Sequence, residues 1–279
     1  MTPIAFACDV TLISVVAGIV GSVLGLGGGI IVTPALTLIF GIDIRLAIGA
    51  SLISVIATSS GSAIAYLRDR IANVRIGMLL EVGTTTGGIC GALLGSILSP
   101  RWIIMIFGIF LLYSAVMMLK KIKQELPAPF SPHPLATKLK LNGIYYDKQL
   151  QRMVPYNVDR PQGAFSIMLG AGILSGLLGI GSGAFKVMAM DIFMKLPIKV
   201  SSATSNFMMG ATAAASASIY MLHGQIDPRI AGPVAIGVLT GSTIGARIMP
   251  RLKSATLRKA FIPIIVYVSI TMIVKGLGQ

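Results

Sequence analysis

Gly25-Leu26-Gly27-Gly28-Gly29 returns 154 residues later as Gly179-Ile180-Gly181-Ser182-Gly183, and the reading of the fold begins from that return. Residues 17–98 slide onto 171–252 at this offset without a gap, with 23 identities in 82 pairs. Such a run is too regular for shared apolar composition, so the chain reads as a duplication with one glycine knot in each half. The segments after the knots repeat as well: Ser51 coincides with Ser205, Thr58 with Thr212 and Ser62 with Ser216.

The setting of the repeat is strongly apolar. Of 279 residues, 54% are hydrophobic and 11% charged, and the mean hydropathy is +0.86, more apolar surface than a soluble domain can hide. Apolar runs of near membrane-crossing length cover 45–66, 76–98, 102–119, 200–222, 230–249 and 261–274. Two further blocks, 10–40 and 164–194, are each interrupted by a knot. The sequence therefore predicts an all-α polytopic membrane protein. Each half has a glycine-broken hairpin with arms of roughly 14–17 residues, short for a perpendicular crossing, followed by three spanning helices.

Residues 1–120 form the first membrane repeat, 121–163 a basic linker and 164–279 the second repeat. The linker carries Pro127, Pro129, Pro132 and Pro134, then Asn142-Gly143 with Tyr145 and Tyr146, which predicts a small hairpin. Its seven Lys/Arg, with Lys120 at its edge as an eighth, place it in the cytoplasm. If each knotted block crosses the membrane once, the cytoplasmic side collects 13 basic residues and the outside nine. If each block folds back, the split becomes 18 against four, with Lys186 apart within the membrane. The positive-inside bias selects the second scheme, which makes the halves an inverted repeat and puts both termini outside. The first segment lacks a basic n-region and contains Asp9, so it reads as uncleaved.

The formal charge of +14 sits in the connections and is not interleaved with aromatics, which argues against a nucleic-acid partner. Cys8 and Cys90 read as free thiols. His133 and His223 have no second ligand at metal spacing, so neither a metal nor another cofactor is expected. No strand precedes either knot and no Lys-Ser/Thr follows in P-loop order, which excludes nucleotide binding.

A helix broken at membrane depth frees backbone donors, and its N-terminal half-helix favours an anion. Two such ends facing one another make an anion cradle, although glycines also serve close helix packing. The candidate binding residues are thus Gly27, Gly28, Gly29, Gly181, Ser182 and Gly183. Ser51, Thr204, Ser205 and Asn206 join them, since they begin spans just after loops. Thr58, Thr212, Ser62 and Ser216 read as hydroxyls bonded back to their own helix. Lys186, three residues past the second knot where the first half has Val32, is the candidate for direct anion contact. Glu81 and Asp191 are candidates for proton coupling or for neutralising Lys186 and Arg75. Arg247 is an anchor or guards the entrance.

The paired knots, Pro34, the Ala50-Ser51 and Thr204-Ser205-Asn206 segments and the late Gly241-x-x-x-Gly245-Ala246-Arg247 resemble the TauE/SafE sulfite exporter family. The resemblance spans both halves, with one departure, Met188 at the position matching Pro34. It implies a secondary transporter in a prokaryotic cytoplasmic membrane, exporting sulfite, a sulfonate or a related sulfur anion, rather than an enzyme. An importer of thiosulfate or a small carboxylate, coupled to protons, is the alternative. The partners expected are the anion and the bilayer, with a homodimer as a candidate assembly.

Overall fold

The structure, a computed structural model, describes residues 3–120, 133–147, 150–181, 183–251 and 254–278. The expected prolines 127, 129 and 132 lie outside them. The membrane part is helical throughout, as the apolar runs demand. In the first half, α1 (Pro3–Leu24) ends at the knot, and α2 (Gly29–Pro34) runs on into a π-helical turn, Ala35–Ile39. Three long helices follow: α3 (Ile44–Arg68), α4 (Val74–Ile97) and α5 (Pro100–Lys120). In the second half α7 (Pro161–Leu178), α8 (Gly183–Ile192), α9 (Ile198–Leu222), α10 (Pro228–Ile248) and α11 (Ser254–Leu277) repeat the order. Between the halves lie a short α6 (Pro134–Lys138) and an antiparallel hairpin, β1 (Gly143–Asp147) with β2 (Arg152–Tyr156).

The duplication is written in the backbone. Left-handed residues recur at the 154-residue offset, as Gly25/Gly179, Gly27/Gly181, Gly41/Lys195 and Arg70/Gly224. At the knots this conformation requires glycine, because a Cβ there is strained whatever the space around it. The caps recur too: Asn73 accepts from Ile76 N at the start of α4, and its counterpart Asp227 accepts from Arg229 N at the start of α10.

The hairpin arms differ from the equal pair expected. The first arms, α1 and α7, have 22 and 18 residues, whereas α8 has only 10. At 1.5 Å per residue α8 spans about 15 Å, half of a hydrocarbon core. The π-turn keeps the returning arm of the first half comparably short. Each knot therefore joins a long helix to a half-helix, and the broken backbone comes to lie deep in the bundle.

Packing follows a glycine ladder. Gly83, Gly87 and Gly91 of α4 abut Phe165, Leu169 and Ile173 of α7, and the equivalent Gly237, Gly241 and Gly245 of α10 abut Thr11, Val15 and Ile19 of α1. Small residues four apart let two backbones touch, and here they bind each half to the other. Both pairs advance in the same direction along their helices. So do α3 with α10, through Gly49 against Gln225 and Gly61 against Leu239, and α4 with α9, through Gly77 against Phe207 and Gly95 against Tyr220. The counterparts α3 and α9 run oppositely. Gly49 at the start of α3 meets Gln225 just past α9, whereas Asn73 just past α3 donates its N–H to Thr204 near the start of α9.

The molecule is apolar outside and polar within. Exposed side chains include Leu12, Val16, Val82, Leu93, Ile97, Ile236, Leu239 and Tyr267, while Ser51, Ser54, Thr58, Lys186, Thr204, Ser205 and Asn206 are buried. Four helices, α1, α3, α4 and α7, are long and apolar enough to cross a membrane by length and composition. Helices α9 and α10 form where spans were expected, and α9 turns its many small polar residues inward.

The hairpin forms in the linker, but its turn falls after Asp147 rather than at Asn142-Gly143. Asn142 instead accepts from Val158 N (2.9 Å), closing the base of the unit. The linker docks on one end of the bundle. Asn73 donates to Leu141 O (2.8 Å), Arg75 to Lys140 O (3.1 Å), and Lys199 pairs with Asp147 (2.7 Å).

Candidate functional site

The two knots meet at the centre. In the first, the N–H groups of Leu26 and Gly27 both donate to Gly21 O, and Gly28 N donates to Thr58 Oγ1 (3.1 Å). The backbone thus turns away from α1 before α2 begins. In the second, Gly179 N closes α7 on Ser175 O (2.9 Å). Across the centre Ser51 Oγ donates to Gly179 O (2.6 Å) and Ser205 Oγ donates to Gly25 O (2.9 Å), the same bond made twice by equivalent residues. Gly29 lies against Gly179 and Ile180, and Gly183 against Gly25 and Leu26, where a Cβ on either glycine would overlap the opposite backbone. Gly27 and Gly181 both face the equivalent pair Val55 and Met209.

The structure thus brings together Gly27, Gly28, Gly29, Gly181, Gly183, Ser51 and Ser205. Ser182 lies outside the described residues. The other candidates are placed as follows. Thr204 Oγ1 accepts from Asn73 N, and Asn206 Nδ2 donates to Ser22 O (2.7 Å) and Ser202 O (3.1 Å), while its buried Oδ1 has no partner. Arg247 is exposed on the last turn of α10, and Asp191 is half-buried on the last turn of α8, both apart from the knots.

Lys186 is completely buried, and its ammonium lies 3.3 Å from Glu81 Oε2 and donates to Thr212 Oγ1 (2.8 Å). Of the two neutralisation partners considered for Glu81, it takes Lys186, while Arg75 turns to the linker. Around Glu81 stand three hydroxyls that the sequence did not single out as site residues. Thr84 donates to Oε2 (3.0 Å), and Thr85 (2.8 Å) and Thr212 (2.6 Å) donate to Oε1. Thr58, Ser62 and Ser216 bond back within their helices as expected, but Thr212 spends its proton on Glu81. The legible signal for Thr84 and Thr85 is their spacing, three and four residues after Glu81 on one helix face.

Thr212 is the counterpart of Thr58, whose oxygen holds the Gly28 N–H of the first knot. Lys186 lies on the first turn of α8, so the Lys186–Glu81 pair stands close past the second knot. The pair has no counterpart under the repeat: Val32 of α2 and Ala235 and Val238 of α10 occupy the positions of Lys186, Glu81 and Thr84, and Val32 and Val238 share one apolar cluster. A cavity of about 390 Å³ borders α2 past the first knot. Its lining, including Ile13, Pro34, Leu38 and Leu111, carries no charge and suits no anion.

A polar, glycine-broken centre inside an apolar helical shell is the architecture of a membrane transporter. The comparisons agree. The sequence pattern of the sulfite exporter TauE/SafE family matches residues 10–272, and the chain belongs to that family. It is similar to the probable membrane transporter protein YunE of Bacillus subtilis, with 27% identity over 95% of this chain and 97% of the relative. A probable membrane transporter protein of Xylella fastidiosa is 24% identical over 92% of both chains. The probable membrane transporter protein MJ0441 of Methanocaldococcus jannaschii is 26% identical over 88% of both. No solved structure gives a significant match to the chain.

Proposed function

We propose that this transporter is a secondary exporter of sulfite, a sulfonate or a related sulfur-containing anion, and that the anion binds at the seam between the two knots. The observation that carries the reading is the meeting of the knots, stapled by Ser51 and Ser205, with the only fully buried ammonium among the described residues on the first turn of α8, the half-helix that begins at the second knot. The knots are in contact, so the anion enters when the halves part. Rocking of two repeats about a central site is the motion such a duplication allows.

The orientation proposed is an inverted repeat in a prokaryotic cytoplasmic membrane, with 1–120 and 164–279 as the membrane halves, the linker inside and both termini outside. It is supported by the opposed course of α3 and α9. It is supported too by the docking of the linker at the end that carries Arg75, Lys195 and Lys199. Export then needs no further input. An inside-negative potential is worth about 2.3 kcal/mol per charge per 100 mV, so a dianion leaves with twice the drive of a monoanion.

The test is labelled sulfite flux from proteoliposomes under an imposed potential, with Lys186→Ala alongside. Outward movement that grows with the potential and fails in Lys186→Ala is expected. Absence of movement for sulfite, alkanesulfonates and thiosulfate alike would overturn the reading. The second reading, proton-coupled uptake of thiosulfate or a small carboxylate, is favoured by the half-buried carboxylate of Glu81. Accumulation of either anion driven by a proton gradient would establish it.

A further inference from the structure

The Lys186–Glu81 pair is not needed to fill its corner of the fold. The equivalent corner under the repeat is built from Val32 of α2 and Ala235 and Val238 of α10, all apolar, and the glycine conformations of the knot recur beside it. A buried ion pair is weak evidence for stability in any case, since apolar residues of like volume often serve as well. The charges therefore call for another role, and the surroundings of the carboxylate point to one. Glu81 accepts from one ammonium and three hydroxyls. An ammonium only donates, but a hydroxyl both donates and accepts. If the ammonium is taken away and the carboxyl gains a proton, any of the three hydroxyl oxygens can accept it, and the group stays satisfied in either charge state.

Resting on the proposed anion site, we propose that Glu81 is the proton-binding residue of the transport cycle. The arriving anion takes the place of Glu81 at the Lys186 ammonium, and the released carboxylate binds one proton, which travels with the anion. No covalent bond other than the new O–H forms. When the anion leaves, the proton leaves Glu81 on the same side and the carboxylate returns to Lys186. With the proton aboard, a monoanion gives up the drive that the bare anion would draw from the potential and moves without net charge. A dianion carries one net negative charge, so the membrane potential still drives it outward.

The charged and titratable surroundings single out Glu81. Helix α4 packs against α7 and α9. From α9 the group facing Glu81 is Thr212, and from α8 it is Lys186. At this level α7 presents Phe165, Leu169 and Ile173 to α4. On α4 itself Thr84 and Thr85 are the neighbours, and Arg75, two turns earlier, is bonded to the linker. Asp191, the other carboxylate of α8, stands over a turn beyond Lys186 on that helix.

The experiment uses the full chain in proteoliposomes holding a trapped pH dye. Ethanesulfonate serves as the probe beside sulfite, because it stays ionised at neutral pH and every proton that moves with it belongs to the protein. The expected result is one proton moved with each anion, in the same direction. In Glu81→Gln, the protons moved per anion should fall to zero, whatever anion rate remains. The Lys186→Met/Glu81→Leu double variant, which copies the apolar character of the equivalent corner at Val32, Ala235 and Val238, should remain folded and monodisperse and move neither species. Anion flux without protons in the unaltered protein would overturn the proposal while leaving the transporter intact, as would undiminished proton movement in Glu81→Gln. If the unaltered protein moves neither anion, the transport reading itself fails and this proposal with it.

Discussion

Removing the partners of the buried ion pair one at a time, and then together, should give a stability pattern that is far from additive. Lys186 Nζ and Glu81 Oε2 lie 3.3 Å apart, and at an effective dielectric constant of about 20 their attraction is about 5 kcal/mol. Most of that offsets the cost of taking both groups out of water, so the pair as a whole contributes little. Breaking it is different. Glu81→Leu leaves an ammonium with no exposure and one remaining hydroxyl acceptor, and should cost about 3–5 kcal/mol. Lys186→Met should cost less than Glu81→Leu, because the Glu81 side chain is 17% exposed and keeps its three hydroxyl donors. The double variant should return to about the stability of the unaltered protein or exceed it, by as much as about 4 kcal/mol. The assay is reversible unfolding in mixed detergent micelles, read as a double-mutant cycle. If the double variant loses the sum of the two single losses to within about 0.5 kcal/mol, the two groups do not interact, and the reasoning from the pair to its role collapses.

Four further outcomes follow from the geometry. Ser51→Ala and Ser205→Ala should each cost about 0.6–1.7 kcal/mol, the range of hydrogen bonds between helices in membranes, and by nearly equal amounts; clearly unequal losses in the same unfolding assay would deny that the two staples are equivalent. Gly29→Ala sets a methyl 2.6 Å from Gly179 O and should destabilise by about 1–3 kcal/mol or more, whereas Gly170→Ala, in open space on α7, should gain about 0.5–1 kcal/mol, both read from thermal melts. The hydrogen bond from Lys195 holds the Asp159 carboxyl below the ordinary 3.8, so this contact is at full strength above that value and is lost as pH falls through the lowered one. Hydrogen exchange of 152–159 should accordingly stay protected from neutral pH down to about 4 and weaken only below it, with Asp159→Asn flattening the profile. In a background with Cys8 and Cys90 replaced, Gly278→Cys should react with an impermeant thiol reagent added outside intact cells and Arg68→Cys should not; the reverse would invert the proposed orientation.

How much of this was legible in the sequence depended on how local each cause is. A knot is a local event: four glycines hold positive φ at matched positions, and nothing else in the chain is needed to place them. The spans were equally local, because a long apolar run admits few alternatives to a helix. The length of each hairpin arm was not, since it depends on where the bundle lets the returning half-helix stop, and equal arms became a long and a short one. The site was hardest to read. Lys186 was visible as a charge that needed a partner, but its partner lies 105 residues away on α4, and only the packing of α4 against α7 and α9 brings the two together. Thr212 shows the same limit. Its sequence context is that of Thr58, and a back-bonding hydroxyl was a fair expectation at both positions. What separates them is Glu81, present on one side of the pseudo-two-fold and replaced by Ala235 on the other.

That difference bears on how a duplicated transporter could work. If both halves were identical about the knots, the two closed-to-one-side states would have mirrored interactions and similar energies, and a bound anion would meet the same surroundings from either face. Here the backbone keeps the symmetry: the glycine conformations, the serine staples and the ladders of small residues all recur. The chemistry does not. Lys186 faces Val32 across the axis, Glu81 faces Ala235, Thr84 faces Val238, and Asn206 faces Leu52. Every one of these exchanges puts the polar member on the side of α4, α8 and α9. In the proposed site the charged contact to an anion would come only from the side of α4, α8 and α9, and the side of α1, α3 and α10 could move past it without breaking one. A symmetric pair of ammonium groups would grip the anion from both sides and oppose that sliding. Under the proposed mechanism, the broken symmetry of the side chains, laid on the recurring backbone, would let the anion stay with α4, α8 and α9 while α1, α3 and α10 move.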